Sequence, residues 1–189
     1  SSRPFLVSSF ITAYTPPALY DPATSDWRAR GFEFGMLNIP NPAYTNAAHK
    51  NGVMSIGCLY FDQAFRAGQS INELLEKDED GNFLLVDQLV AIANYYGFDG
   101  YFLNREDSPY SMADLHEFMR QMHEKGMYTQ YYDVGSSFTA EKGNWIKNGN
   151  YDSIFFNYGG WGSAQSAYTW CEQNGLDVYD AAFFGVESN

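Results

Sequence analysis

The stretch Tyr96–Asp107 (YGFDGYFLNRED) is the part of the chain that decides the fold. An apolar run begins after Gly97 and ends in polar residues, as a buried parallel strand does where it reaches the edge of its sheet. Asn104 and Glu106 lie two positions apart, so along an extended backbone both side chains point to the same side. At the carboxyl end of a barrel strand, that side faces the mouth of the active site.

Short apolar runs alternate with helical segments over the rest of the chain, which indicates βαβ units and a parallel sheet. The predicted strands are Phe5–Ala13, Phe34–Ile39, Val53–Phe61, Phe98–Leu103, Met127–Tyr132, Ser153–Asn157 and Val178–Phe184. The predicted helices are Asn41–Asn51, Leu84–Tyr96 and Ser111–Lys125. Most of the strands are near-continuous apolar runs, which is typical of strands covered on both faces.

Seven strands in this order predict an α/β fold of the (β/α)8 TIM-barrel type. A complete barrel takes about 250 residues, whereas this chain has 189 and ends just past the seventh predicted strand. We therefore expect an incomplete barrel that lacks its last strand, with residues 1–189 forming a single catalytic domain or a fragment of one. A flavodoxin-like sheet is the competing architecture, but the Gly-rich phosphate loop that should follow its first strand is missing.

The composition argues against several classes of function. The net charge is −12 and the pI is about 4.4, so the surface repels phosphate backbones and anionic membranes and no nucleic-acid partner is expected. No run of about 18 apolar residues is present, so we expect no membrane insertion. Aromatic residues make up 18% of the chain, which suits either a Tyr-rich core or stacking on the rings of a neutral glycan.

The cysteines and histidines show no metal-ligand spacing. Cys58 and Cys171 are far apart in sequence, and neither is spaced for metal binding with His49, His116 or His123. We therefore expect no metal and no cofactor. Two buried free thiols are predicted, with one disulfide as the alternative. His49 is predicted to be a structural histidine on a helix face, and the other two histidines are predicted to be solvated.

Glu106 is the residue that we expect to act as a general acid. An acid that protonates a glycosidic oxygen benefits from an apolar pocket that keeps it protonated, and Glu106 follows an apolar strand rich in aromatic residues. Where glycosidases normally carry a second carboxylate, this chain has the amide of Asn104. An amide cannot be the nucleophile, but it can hydrogen-bond a substrate group that attacks internally. Arg105 points away from both and is predicted to pair with a nearby acid, and Asp99 is predicted to be structural.

At this point the sequence resembles glycoside hydrolase family 85, the endo-β-N-acetylglucosaminidases. Phe98-Asp99-Gly100 followed by Asn104-x-Glu106 is similar to the motif of that family. The related chitinase family carries Phe-Asp-Gly-x-Asp-x-Asp-x-Glu, and this chain has Phe102 and Asn104 in place of its second and third Asp. Other matching segments are Ile39–Pro40, Ala47–Val53, Ala91–Gly97, Tyr131–Asp133 (Trp-Tyr-Asp in the family), Phe155–Asn157 leading to Trp161, and Asp177–Tyr179.

The resemblance implies cleavage of the β-1,4 bond in the N,N'-diacetylchitobiose core of N-linked glycans, with retained configuration and with the 2-acetamido oxygen of the substrate as nucleophile. It implies that Glu106 is the acid and base and that Asn104 orients the acetamide. Tyr132 is expected to bond near the acetamide oxygen and Trp161 to stack on a sugar. Asn157 and Tyr131 complete the predicted substrate-binding set.

Two alternatives remain open at the level of sequence. One is a chitinase-like glucosaminidase, which Phe102 in place of an Asp disfavours, and the other is a non-catalytic glycan-binding barrel, which the retained Glu106 disfavours. The role of Asp133 is open between orienting Tyr132 and capping a loop. The expected partner is an N-linked glycan or glycoprotein, and further domains outside this chain are possible. The class of enzyme suggests a secreted, periplasmic or cell-surface location, with the cytoplasm as the alternative.

Overall fold

The computed structural model describes residues 37–61, 74–106, 111–135 and 137–186. It also describes the backbone of residues 5–7. These residues form one mixed sheet of seven strands. The strands are β1 (Phe5–Val7), β2 (Leu37–Asn38), β3 (Met54–Tyr60), β4 (Gly100–Asn104), β5 (Tyr128–Asp133), β6 (Ser153–Phe156) and β7 (Ala182–Phe184).

The sheet is almost entirely parallel and runs in chain order. Its path is β1-β3-β4-β5-β6-β7, every neighbouring pair on this path is parallel, and β2 alone pairs antiparallel with β3. Within the described residues the sheet does not close, and β1 and β7 are its two ends. The fold is therefore α/β with a mixed sheet, and closure into a TIM-type barrel stays a prediction.

The helices connect consecutive strands, and four of the six described helices begin at a side chain that accepts a hydrogen bond from the first turn. They are α1 (Pro42–Lys50), α2 (Leu84–Tyr96), α3 (Met112–Glu124), α4 (Ala140–Lys147), α5 (Ala164–Asn174) and α6 (Val178–Ala181), with a 3-10 turn at Gly160–Ser163. Asn41 caps α1 by accepting the amide of Ala43 at 2.9 Å, and Ser111 caps α3 by accepting the amide of Asp114 at 3.4 Å. Such caps satisfy amides that have no partner inside the helix.

The contacts of the sheet place α1, α2 and α4 on the same face. Ser55 bonds to Thr45 of α1 at 2.9 Å, the hydroxyl of Tyr101 donates to the Leu89 carbonyl of α2 at 2.7 Å, and the ring of Tyr131 packs against Trp145 of α4. A doubly wound sheet carries helices on both faces, so the flavodoxin-like alternative is disfavoured. We call the opposite face, which carries Phe102, Asn104 and the residues level with them, the inner face.

Most predicted elements agree with the structure to within a few residues at their ends, but one strand is wrong in its first half. Val178–Ala181 forms the short helix α6, and only Ala182–Phe184 of the predicted strand is extended. Asp177 accounts for the difference, because its carboxylate accepts the amide of Tyr179 at 2.9 Å and caps a helix. Helices α4 and α5 were not among the predicted elements. Residues 8–13 and 34–36 of the first two predicted strands lie outside the described residues.

Candidate active site

Strand β4 carries the two residues of the predicted catalytic pair at its carboxyl end. Asn104 is the last residue of the strand and is 7% exposed, and Glu106 follows two positions later, partly buried. The Oδ1 atom of Asn104 is buried and accepts no hydrogen bond from the part of the chain that the structure describes. A buried carbonyl oxygen without a donor is unfavourable in a folded protein, so this oxygen needs an explanation.

The close approach of β4 to β5 depends on Gly100. A Cβ at this position would overlap the backbone of Tyr128 on the neighbouring strand. Gly100 pairs with Tyr128, and the same register places Phe102 beside Gln130. Continued by one residue, it brings Asn104 level with Tyr132, so Gly100 helps to set the position of the catalytic strand relative to β5.

Three aromatic rings stand on the inner face next to Asn104. The ring centroids of Phe102, Tyr132 and Phe155 are 6.0, 6.2 and 6.1 Å apart in pairs. All three side chains are partly exposed, so the inner face is open to solvent at this level. Flat, partly exposed rings beside polar groups provide the kind of surface on which sugars stack.

A buried polar group below these rings was not predicted from the sequence. Gln130 is 0% exposed, and its Nε2 donates to Ser153 Oγ at 2.8 Å. The hydroxyl of Tyr128 lies 2.6 Å from the same Ser153 oxygen. The signal that could have found Gln130 is its position two residues before Tyr132, because residues two apart on a strand share a face.

Tyr131 lies on the other face of β5 and does not join the site. It is 4% exposed, and its ring packs at 5.8 Å from Trp145 and 5.3 Å from Tyr151. The alternation of a strand sends Tyr131 and Tyr132 to opposite sides, and Tyr131 takes the side of the helices. We therefore do not retain Tyr131 as a substrate contact.

The prediction that His116 is solvated is wrong. Its ring is partly buried, stacks 4.4 Å from the ring of Trp145 and lies with Nδ1 2.9 Å from the hydroxyl of Tyr151. Burial, and then the positive charge of Arg105, lower the pKa of His116 from 6.5 to about 4. The charge of Arg105 therefore acts on His116, on the helix-facing side of the sheet.

The remaining predicted site residues make local contacts. Asp133 is buried, pairs with Lys142 and accepts the amide of Gly135 at 3.3 Å, so it caps a loop. The amide oxygen of Asn157 accepts from the Tyr158 backbone at 2.7 Å. Trp161 is 54% exposed and donates from Nε1 to the Gly185 carbonyl at 2.9 Å. Its ring lines a surface groove of about 410 Å³ beside β7.

Asp99 and His49 lie at the opposite, amino-terminal edge of the sheet, as expected for structural residues. The carboxylate of Asp99 accepts the amide of Ser55 at 2.7 Å and lies 2.9 Å from Nε2 of His49. Cys58 and Cys171 are both buried and free, which confirms the prediction of two thiols. Among the residues with described positions, no group of three His, Cys, Asp or Glu side chains could hold a metal ion, and no helix has the length and apolar character to cross a membrane.

Comparison with known proteins places these features in a family. The sequence profile of glycosyl hydrolase family 85 matches residues 30–188. The cytosolic endo-beta-N-acetylglucosaminidase of Danio rerio is 32% identical over 161 residues, which cover 80% of this chain and 22% of the relative. The enzyme of the same name from Gallus gallus is 34% identical over 94 residues, which cover 48% of this chain and 13% of the relative. This chain therefore spans about a fifth or less of these relatives.

A solved structure has a similar fold. The glycoside hydrolase domain of Endo-D from Streptococcus pneumoniae R6 superposes with a TM-score of 0.55 at 23% identity, over 79% of this chain and 27% of that one. At this identity the likeness concerns the fold alone.

The expectation of a secreted, periplasmic or cell-surface location is wrong. It rested only on the class of enzyme, and the vertebrate relatives from Danio rerio, Mus musculus, Gallus gallus and Homo sapiens are all named cytosolic. These names point to the cytoplasm and not to export, so glycan chemistry by itself does not imply secretion.

Proposed function

The chain belongs to glycosyl hydrolase family 85, and on that premise we propose that it is the acid/base part of an endo-β-N-acetylglucosaminidase. Its substrate is the N,N'-diacetylchitobiose core of N-linked glycans, cut at the β-1,4 bond between the two N-acetylglucosamines. The observation that carries the proposal is the buried amide oxygen of Asn104, which finds no donor among the described residues and lies two positions from Glu106. An acetamide N–H of the substrate supplies the donor that this oxygen lacks.

The proposed mechanism uses the acetamide of the substrate as nucleophile. Asn104 accepts the acetamide N–H and directs the acetamide carbonyl oxygen at the anomeric carbon. That oxygen bonds to the anomeric carbon as the bond to the leaving sugar breaks, and Glu106 gives its proton to the leaving oxygen. Water then attacks the anomeric carbon of the oxazolinium ion, Glu106 takes its proton, and the acetamide is restored with retained configuration.

We propose three substrate contacts, which the positions of the side chains support. Tyr132 stands level with Asn104 on the inner face and hydrogen-bonds near the acetamide oxygen. Trp161 follows the end of β6, is exposed and stacks on a sugar ring. Asn157 comes directly after β6 and is the third contact. A net charge of −12 favours a neutral glycan over a nucleic acid or an anionic membrane.

We further propose that the open sheet is part of a (β/α)8 barrel, with residues 1–189 as a single catalytic domain or a fragment of one. Five consecutive parallel pairs in chain order, with helices on one face, support this arrangement. In such a barrel the carboxyl ends of the strands form the active-site face, where Asn104 and Glu106 lie. The chain spans 22% of the relative from Danio rerio.

Digestion of an N-linked glycopeptide, followed by mass spectrometry, tests the proposal on wild type, Glu106→Gln and Asn104→Ala. Wild type should leave one N-acetylglucosamine on the peptide. Glu106→Gln should lower the rate by on the order of 10²–10⁴, which is the usual contribution of a general acid. A wild type that binds the glycopeptide without cleaving it would favour a non-catalytic glycan-binding barrel, and cleavage of chitin oligomers alone would favour a chitinase-like enzyme.

A further inference from the structure

Gln130 is a buried amide that the proposed mechanism does not use. It is 0% exposed and lies in the middle of β5. Its Oε1 atom is buried and accepts no hydrogen bond from any residue described by the structure. Among the described residues, Asn104 is the only other one with a buried side-chain oxygen that has no hydrogen-bond partner. Both oxygens lie on the inner face, because Gln130 pairs with Phe102, two residues before Asn104.

The orientation of Gln130 is fixed by its neighbours on the inner face. Its Nε2 donates to Ser153 Oγ, which is 0% exposed and pairs with Gln130 on β6. The hydroxyl of Tyr128 lies within hydrogen-bond distance of the same oxygen, at 2.6 Å. With its nitrogen held in this way, the Gln130 amide presents its oxygen away from Ser153.

We propose that Gln130 is a specificity-determining residue whose Oε1 accepts a hydrogen bond from the hydroxyl next to the acetamide on the sugar bound at Asn104. This inference rests on the proposed function. Two buried acceptors without donors on one face select a ligand that carries two donors, and an N-acetylated sugar offers the acetamide N–H and the adjacent hydroxyl.

The distance between the two acceptors suits one sugar ring. Neighbouring strands lie about 4.8 Å apart and two residues along a strand span about 6.6 Å, so the Cα atoms of Asn104 and Gln130 are about 8 Å apart by this geometry. The partly exposed rings of Phe102, Tyr132 and Phe155 stand beside both amides and form an apolar wall for the sugar.

The test compares Gln130→Met with Gln121→Met in the full chain. Gln121 is also a buried amide, at 8% exposure, but both its ends are bonded: Oε1 accepts the Phe83 amide at 2.9 Å and Nε2 donates to the Gly81 carbonyl at 3.1 Å. Gln121→Met should lower the melting temperature without changing kcat/KM per folded molecule. Gln130→Met removes the unpaired oxygen together with the hydrogen bond from Nε2 to Ser153, so the melting temperature should change little, and kcat/KM should fall about tenfold to a hundredfold.

A substrate pair identifies the hydroxyl. The probes are an N-linked glycopeptide and its analogue that lacks the hydroxyl next to the acetamide of the scissile sugar. Wild type should prefer the parent by about tenfold or more, and Gln130→Met should turn over both alike. Equal turnover of the two by wild type overturns the inference even if the variant does not fold, and so does a variant that still discriminates. If wild type cleaves the glycopeptide and Gln130→Met has the same kcat/KM, this inference alone is refuted. If wild type cleaves neither probe, the proposed function is refuted, and this inference with it.

Discussion

His116 shows at the scale of a single residue how burial sets chemistry. Its imidazole lies between the ring of Trp145 and the hydroxyl of Tyr151, with the charge of Arg105 close enough to oppose protonation. Burial contributes more to the lowered pKa than Arg105 does. At neutral pH the imidazole beside Arg105 is therefore uncharged.

The lowered pKa of His116 predicts a loss of stability in acid. The unfolded chain takes up a proton on this residue near pH 6.5 and the folded chain only near pH 4. Between these values the unfolded state binds more protons, so the contribution to stability is complete above pH 6.5 and is lost as the pH falls towards 4, to a total of roughly 3 kcal/mol. Urea unfolding of wild type and His116→Gln across this range measures the effect.

His116→Gln is the matched variant because its amide can still bond to Tyr151 but does not titrate. The free energy of unfolding of the variant should depend less steeply on pH than that of wild type, by up to one proton between pH 6.5 and 4. Parallel curves for the two proteins would show that His116 does not have a lowered pKa in the folded state.

At the scale of elements, the start of β4 is a point where this strand lies very close to β5. A side chain at Gly100 would overlap the backbone of Tyr128, so the two strands would have to separate where their pairing begins. Because Asn104 and Tyr132 lie further along the same two strands, such a separation would also change their relative position.

Gly100→Ala should therefore destabilise the protein by about 1–3 kcal/mol or more, as overpacking of a core does, and should reduce activity by displacing Asn104. Gly162→Ala is the control, since a Cβ at that position meets nothing within 4 Å. Thermal melting and glycopeptide kinetics on both variants give the comparison. Equal melting temperatures for the two would contradict the close approach of β4 and β5.

The elements that the sequence did not predict have physical reasons for being hard to see. Helix α4 buries only Gly143 and Ile146, and α5 buries only Ala167 and Cys171. Small buried residues leave no broad apolar stripe, so the helical period is weak in the sequence. Helices α2 and α3 bury large side chains at regular spacing, and both were predicted almost to the residue.

For the whole molecule, sequence reasoning reaches only those features of the candidate site that depend on the spacing of residues along a single strand. The two-residue spacing of Asn104 and Glu106 predicts that they share a side, and the same rule places Gln130 with Tyr132 within β5. Sequence alone does not give the register between strands, so it could not show that Gln130 meets Ser153 or that Tyr131 packs against Trp145 of α4. The contacts of His116 are of the same kind, because Tyr151 is 35 residues away along the chain.

The central claim is that Asn104 and Glu106 act with an acetamide of the substrate as nucleophile. The most direct test measures kcat on glycopeptides whose scissile sugar carries an acetyl, fluoroacetyl, difluoroacetyl or trifluoroacetyl group on its nitrogen. Each fluorine withdraws electrons from the carbonyl oxygen, so kcat should fall stepwise by more than about tenfold over the series, which adds more than about 1.4 kcal/mol to the barrier. A kcat that does not change with fluorination would show that another group attacks the anomeric carbon and would contradict the account.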